Sequence, residues 1–157
     1  MTRVAGTAAL VGYQPVLTVD VVVGKGKRVQ SITAVLDSGA DRTVVPRGIV
    51  EALGVNYDGL KTPLDSDGEP IQGQGADGAF EIRICRGKVR WRTTTVCTEF
   101  WVANCGYVLL GRDDFFKKFD VMFDWSAPDP YVDIEPAGTM RARAAKLLGD
   151  AAASDSN

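Results

Sequence analysis

The sequence contains no histidine, and this absence excludes several kinds of active site at once. Serine and cysteine hydrolases of the triad type use histidine as their general base. Most catalytic zinc sites also use histidine ligands. A hydrolase built from this chain must therefore work with carboxylates, lysines or hydroxyl groups.

Cysteine is scarce, with three residues at Cys85, Cys97 and Cys105. An odd number without a CxxC spacing does not fit a disulfide framework or a zinc knuckle. We therefore expect three free thiols in a reducing compartment, and neither a metal nor another cofactor.

Long apolar runs and a large excess of one charge are also missing. No segment approaches the ~20 apolar residues of a membrane helix. The N-terminal segment is interrupted by Gly12 and Pro15 and lacks the apolar block of a signal peptide, so we expect a cytoplasmic protein without membrane contact. The net charge of -2 gives no general attraction to nucleic acid.

The sequence does contain a series of short β-patterns, recognised by β-branched residues, alternation and bounding turn residues. They predict strands at 15–24, 28–36, 43–45, 79–85, 89–96, 98–102, 107–110, 120–125 and 131–134. Turns are expected at 24–27 and 86–88, and short helices at 46–53 and 112–119. This pattern predicts an all-β fold of the closed-barrel type with one or two short helices.

The length of 157 residues suits one domain with extensions at its ends. We expect an N-terminal arm at 1–14, one domain at 15–136, and a C-terminal tail at 137–157. The tail is rich in alanine and is predicted to be helical or disordered.

The segment Ala34–Asp41 carries the clearest chemical signal, because an apolar strand ends abruptly in Asp37, Ser38 and Gly39. A buried strand would deliver the carboxyl group of Asp37 to a site with little water. The Ser38 hydroxyl can lock the loop by hydrogen bonding, and Gly39 allows a tight turn. Since these residue types are also common in ordinary turns, the segment alone does not identify a site.

A second apolar segment, Val108–Asp113, also ends at a glycine, and a short helix is predicted after it. Together, Leu36–Thr43, Leu109–Asp113 and the glycine-rich span between them resemble the retropepsin-like aspartic protease family in order and spacing. The resemblance covers about residues 15–135. It implies a closed acid-protease barrel, a single-domain subunit with a flap hairpin, and activity only as a homodimer.

The resemblance also implies roles for individual residues. Asp37, Ser38 and Gly39 correspond to the catalytic loop, with one Asp37 from each subunit activating a water for peptide-bond hydrolysis. Ser38 would hydrogen-bond across the dimer axis. Ala40 and Asp41 correspond to positions that bind an extended peptide substrate.

Two further residues correspond to structural support. Gly111 follows the strand that passes beneath the catalytic loop, and Arg112 would form an ion pair with Asp41 of the same subunit.

The position of the flap stays open at this stage. Asp65–Glu69 resembles the start of a calcium loop, but the twelfth position holds Ala76 instead of glutamate, so a calcium site is not expected. A hairpin with Gly68 near its tip, in contact with substrate, is one placement. A tip at Gly73–Gly75 is the other, and an ordinary surface loop is also compatible with the sequence.

Three functional hypotheses follow. The first is a homodimeric aspartic endopeptidase that cuts extended peptides with apolar side chains. The second is a catalytically silent member of the same fold that binds peptides or dimerises. The third is an unrelated small β-barrel in which the motif is coincidental. The intact Asp37–Gly39 sequence favours the first, and the oligomeric state discriminates between them.

Overall fold

The computed structural model describes residues 6–11, 14–24, 28–75, 77–126 and 130–154, and these residues are mainly β. The strands are β1 (Gly6–Val11), β2 (Gln14–Val23), β3 (Arg28–Leu36), β4 (Val44–Pro46), β5 (Gln72–Gly75), β6 (Gly78–Glu81), β7 (Arg83–Trp91), β8 (Thr94–Ala103), β9 (Val108–Leu110), β10 (Phe119–Asp124) and β11 (Tyr131–Pro136). The helices are α1 (Arg47–Ala52), α2 (Phe115–Lys118) and α3 (Thr139–Ser154), with a 3₁₀ helix at Tyr57–Gly59.

Six of these strands close into a barrel, as the sequence predicts. In the described part of the chain, the main sheet has the order β10-β11-β1-β2-β3-β9-β4-β8-β7, and β7 pairs again with β2. Closure therefore involves β2, β3, β9, β4, β8 and β7. Strands β5 and β6 form a separate two-stranded hairpin.

The barrel is filled by apolar side chains from the inward faces of its strands. Val21, Val89, Phe100 and Leu110 belong to four different strands and are fully buried. Successive side chains of a strand point to opposite faces, and these four lie on the faces that point into the core. An aromatic cluster closes one part of the core, because the ring of Phe115 in α2 lies 5.8 Å from Trp91 and 4.7 Å from Phe119.

The predicted turn at 86–88 is wrong, because β7 runs through these residues. The chain turns instead at Arg92 and Thr93, where Arg92 has φ 53°. The register between β7 and β8 shifts between Arg86 and Val89, which marks a bulge. A Cβ atom on Gly87 would lie 2.7 Å from the carbonyl oxygen of Val22. Glycine is needed here for close packing against β2 and not for a reversal of the chain.

Other element boundaries also differ from the prediction. The expected strand at 79–85 is divided at Ile82, which is buried between β6 and β7. The helix expected at 112–119 covers only Phe115–Lys118, because the three residues before it form turns. Helix α1 ends where expected, and Gly54 follows it with φ 82°, the left-handed conformation that suits glycine at a helix end.

Strand β1, near the start of the chain, and strands β10 and β11, near its end, lie together in the main sheet. Strand β1 pairs with β2 on one side and with β11 on the other, and β10 extends this layer beyond β11. Within the segment expected to be an N-terminal arm, Gly6–Val11 is thus a strand, whereas residues 1–5 and 12–13 lie outside the described residues, as does most of the turn expected at 24–27. The C-terminal segment contains the helix α3. No helix in the described ranges is long and apolar enough to span a membrane.

Candidate active site

Asp37 lies directly after the buried end of β3. Leu36 is 4% exposed, whereas Asp37 is half-buried and Ser38 and Gly39 are exposed. The backbone N–H of Gly39 donates to Asp37 Oδ1 at 2.8 Å, and the N–H of Ala40 donates to the Asp37 carbonyl at 3.2 Å. The carboxylate is therefore held in place by its own loop at the end of a rigid strand.

Strand β9 fixes this loop from a second part of the chain. It pairs in parallel with β3, and Leu110 is in register with Leu36. The N–H of Asp37 donates to the carbonyl of Leu110 at 3.1 Å. Because Val108 and Leu110 are fully buried, the side of the loop that faces the core is apolar.

The two motif segments are also joined beyond the ends of these strands. The N–H of Arg112 donates to the carbonyl of Ala40 at 2.9 Å, and the N–H of Asp113 donates to that of Asp41 at 2.8 Å. The Arg112 guanidinium pairs with the Asp41 carboxylate, as the family resemblance implies. Both side chains are more than half exposed, so we expect this ion pair to contribute less than about 1 kcal/mol; the backbone bonds hold the segments together.

Gly111 allows the chain after β9 to pass very close to the backbone of Arg42. A Cβ atom at this position would lie 2.4–2.7 Å from the backbone carbon, oxygen and Cα of Arg42. Backbone atoms cannot move aside as a flexible side chain can, so any residue other than glycine would separate β9 from the loop that contains Asp37.

Asp114 is a residue that the sequence prediction missed. Its Oδ2 accepts the backbone N–H of Thr43 at 2.5 Å, which joins residues 71 positions apart. Thr43 is fully buried, so its N–H needs a partner within the protein. Asp114 occupies the N-cap position of α2 but makes no side-chain hydrogen bond to that helix, so no local pattern of the sequence indicated its contact with Thr43.

Cys97 lies near this carboxylate. Burial raises the pKa of the Cys97 thiol to about 12, and the negative charge of Asp114 adds to the increase. Burial also raises the pKa of Cys85 and Cys105. All three cysteines are free thiols. No group of three or more candidate metal ligands is found among the described residues.

The glycine-rich span forms two separate turns. Gly68 has φ 82° in a tight turn, where Asp65 Oδ1 accepts the N–H groups of Asp67 and Glu69. The two-stranded hairpin is β5–β6, which contains Gly73–Gly75 on its first strand. Gly68 therefore does not lie at the tip of the hairpin, because the side chain of Asp65 closes an independent turn before it.

A cavity of about 550 Å³ lies between the hairpin and α1. It is lined by Arg47, Gly48, Glu51, Tyr57, Phe80, Glu81 and Asn104. The Arg47 guanidinium lies 4.3 Å from the Tyr57 ring centre and pairs with Glu51 at 2.8 Å. Phe80 belongs to the hairpin, and its ring covers Gly73 so closely that a Cβ atom there would meet it at 2.1 Å.

No family model and no curated protein matches this sequence. Among solved structures, a retropepsin-like aspartic protease from Rickettsia conorii matches with a TM-score of 0.52 and 13% identity, over 85% of this chain and 94% of that chain. The EIAV protease, solved with an inhibitor, matches with a TM-score of 0.47 and 19% identity, over 64% of this chain and 83% of that one. The fold of the chain is retropepsin-like.

Proposed function

We propose that this protein is an aspartic endopeptidase that works as a homodimer, with one Asp37 from each chain. The observation that carries the proposal is the setting of Asp37. It is a half-buried carboxylate at the end of a buried strand. Its Oδ1 accepts the backbone N–H of Gly39, and the backbone N–H of Asp37 donates to the Leu110 carbonyl of β9. A retropepsin-like fold with this residue at this point supports peptide hydrolysis.

A dimer is part of the proposal because one chain supplies a single Asp37. Two copies related by a two-fold axis would bring the exposed Ser38–Gly39 loops together. Two carboxylates ~3 Å apart repel by about 5 kcal/mol at an effective dielectric near 20. Aspartic proteases in general relieve this repulsion by sharing one proton, so the pair titrates as a unit.

The shared proton gives the two carboxyl groups different tasks. The ionised group removes a proton from a water molecule, whose oxygen attacks the carbonyl carbon of the scissile peptide. The protonated group donates its proton to the carbonyl oxygen. Collapse of the tetrahedral intermediate breaks the C–N bond as a proton passes to the amine nitrogen. The reaction consumes one water and leaves both carboxyl groups as they began.

The remaining site residues position these groups. The Gly39 N–H orients one carboxylate oxygen, and Ser38 hydrogen-bonds to its loop partner across the axis. Ala40 and Asp41 contact an extended peptide with apolar side chains, while Gly111 and Arg112 brace the loop. The hairpin β5–β6 acts as the flap. We assign substrate contact to this hairpin instead of Gly68, because Gly68 belongs to a separate turn.

The test is cleavage of unfolded polypeptide and of a peptide library between pH 4 and 7. Asp37→Asn should reduce cleavage at least about a hundredfold, because the dyad loses its general base. Asp58→Asn, at an exposed carboxylate in the 3₁₀ helix, is the matched control and should leave cleavage unchanged. Equal cleavage by wild type and Asp37→Asn would exclude the proposed enzyme, and no cleavage by either would favour a catalytically silent peptide-binding or dimerisation module.

A further inference from the structure

Two cavities meet where β2 ends beside β7, away from the loop that contains Asp37. The larger has a volume of about 560 Å³ and the smaller one of about 430 Å³. Both are lined by Val23, Gly24 and Arg86, so they are continuous with each other. Volumes of this size are typical of sites for small molecules. The pair is therefore a candidate binding site of its own.

The walls of the larger cavity are mainly apolar. Val23 and Cys85 are 3% and 2% exposed, and Val55, Leu60 and Ile84 are partly buried beside them. Burial raises the pKa of the Cys85 thiol, so this side chain adds no negative charge near neutral pH. An apolar chain that enters the cavity would lose contact with water, which favours binding.

The wall that follows the 3₁₀ helix is fixed to β7 by hydrogen bonds. The backbone N–H of Ile84 donates to the Lys61 carbonyl at 2.8 Å, and the Arg83 guanidinium donates to the Leu60 carbonyl at 3.2 Å. The cavity is thus formed before any ligand arrives. A preformed cavity reduces the entropy that is lost when a ligand binds.

The polar groups of the two cavities are mostly cations. Lys61 and Arg86 line the larger cavity, and Arg86 and Lys88 line the smaller one. All three are exposed, and within the residues that the structure describes none of them forms an ion pair. The acid of the described lining is Glu99, which lies opposite Arg86 in the register of β7 and β8. Three cations against one acid leave an excess of positive charge.

The apolar wall and the cations are adjacent along β7. Ile84 and Arg86 are two positions apart and share one face of the strand, and Lys88 follows in the smaller cavity. We propose that the two cavities bind a small anionic amphiphile, a single carboxylate on an unbranched apolar chain. The chain lies in the larger cavity and the carboxylate lies at Arg86, between Lys61 and Lys88. This inference does not depend on the proposed function.

The first test varies the ligand and measures the Kd for the full chain by isothermal titration calorimetry, below the concentration at which micelles form. Octanoate should bind at least about tenfold more tightly than 1-octanol or octylammonium, because only the carboxylate complements the cations. Decanoate should bind about tenfold more tightly than octanoate, since each further buried CH₂ contributes about fourfold. Equal affinity for octanoate and 1-octanol, or no gain with chain length, would overturn the inference.

The second test varies the protein. Lys61→Glu/Arg86→Glu should weaken decanoate binding at least about tenfold and strengthen octylammonium binding at least about tenfold. The gain for the cationic ligand cannot arise from a chain that fails to fold. Arg141→Glu/Lys146→Glu, at exposed cations of α3, is the matched control and should leave both Kd values unchanged. A decanoate Kd that does not respond to the reversal at Lys61 and Arg86 would contradict the proposed site.

Two further measurements locate the ligand and its source. Decanoate should shift the methyl NMR signals of Val55, Leu60 and Ile84, and shifts confined to other parts of the chain would overturn the inference. A membrane offers similar chemistry, so vesicles of phosphatidylglycerol are the comparison, and the chain should not sediment with them. Sedimentation with vesicles that depends on Lys61 and Arg86, without binding of free decanoate, would replace the small ligand by a membrane surface. Asp37→Asn should leave the decanoate Kd unchanged, so failure of the proposed function is seen separately.

Discussion

Gly111 shows how a single residue can decide whether the loop that contains Asp37 is supported. Gly111→Ala would place a methyl group within 2.4–2.7 Å of the Arg42 backbone. We expect a loss of about 2–3 kcal/mol in the free energy of unfolding, since a backbone clash must be relieved by moving a strand. Urea denaturation measures it. Gly106→Ala is the control, because no atom lies within 4 Å of a Cβ there; equal effects of the two changes would contradict the prediction.

The buried thiol of Cys97 should make the free energy of unfolding depend on pH in the alkaline range. Burial holds the pKa of its thiol at about 12 in the folded chain, against an ordinary value of 9.0. Because the folded-state value is raised, the stabilisation is fully present below pH 9 and is lost as the pH rises toward 12. At pH 10.5 the contribution of Cys97 to the free energy of unfolding should be smaller than at pH 8 by about 2 kcal/mol.

The measurement compares wild type with Cys97→Ala in urea at both pH values. The variant lacks the buried sulfur atom at both pH values. The loss of free energy of unfolding that this causes therefore cancels when the results at pH 8 and pH 10.5 are compared. The free energy of unfolding of the wild type, taken relative to that of Cys97→Ala, should therefore be lower at pH 10.5 than at pH 8. A difference that stays the same at pH 8 and pH 10.5 would show that the thiol does not hold its proton.

Among the elements, the β5–β6 hairpin should be the least stable part of the sheet structure. It is two-stranded, neither of its strands pairs with the barrel within the described part of the chain, and most of its residues are exposed. An isolated hairpin is marginally stable in water. Its amides should exchange with solvent at least about a hundredfold faster than those of β7 and β8, which hydrogen-exchange mass spectrometry resolves.

The β7–β8 hairpin is the internal control for that measurement. Its strands are also joined by a short turn, but β7 pairs with β2 and β8 pairs with β4, so both belong to the closed barrel. Equal protection of the two hairpins would mean that β5–β6 is held rigidly against the body, and a flap that opens for substrate would then be excluded.

At the scale of the whole molecule, we expect chains with Asp37→Asn to inhibit wild-type chains by forming inactive mixed dimers with them. A mixed dimer contains one Asp37 and one asparagine and cannot share a proton between two carboxyl groups. With free exchange and complete dimerisation, an equal amount of Asp37→Asn should lower wild-type cleavage to about half, and a ninefold excess to about one tenth. Adding the same excess of Gly106→Ala chain should raise cleavage instead. Cleavage that ignores added Asp37→Asn would point to a catalytic unit of one chain.

The sequence by itself determined the β-rich barrel class and the strand that ends at Asp37. Both depend on local patterns: alternation, β-branched residues, and polar residues placed directly after an apolar run. The pairing of Asp41 with Arg112 was implied only by the family resemblance, because no local pattern connects the two residues. The same patterns did not fix the turn after β7, because Gly87 serves equally well for a reversal and for close packing, and only the contact with Val22 and Phe100 distinguishes them.

Only the tertiary structure decided the contacts between distant segments. The bond from Thr43 to Asp114 spans 71 positions, β11 lies between β1 and β10, and the hairpin is β5–β6 and not the turn at Gly68. The physical reason is that hydrogen bonding and burial act through space. A residue's periodicity shows which face of its own strand is apolar, whereas its partner depends on which other strand the folded chain brings within about 5 Å.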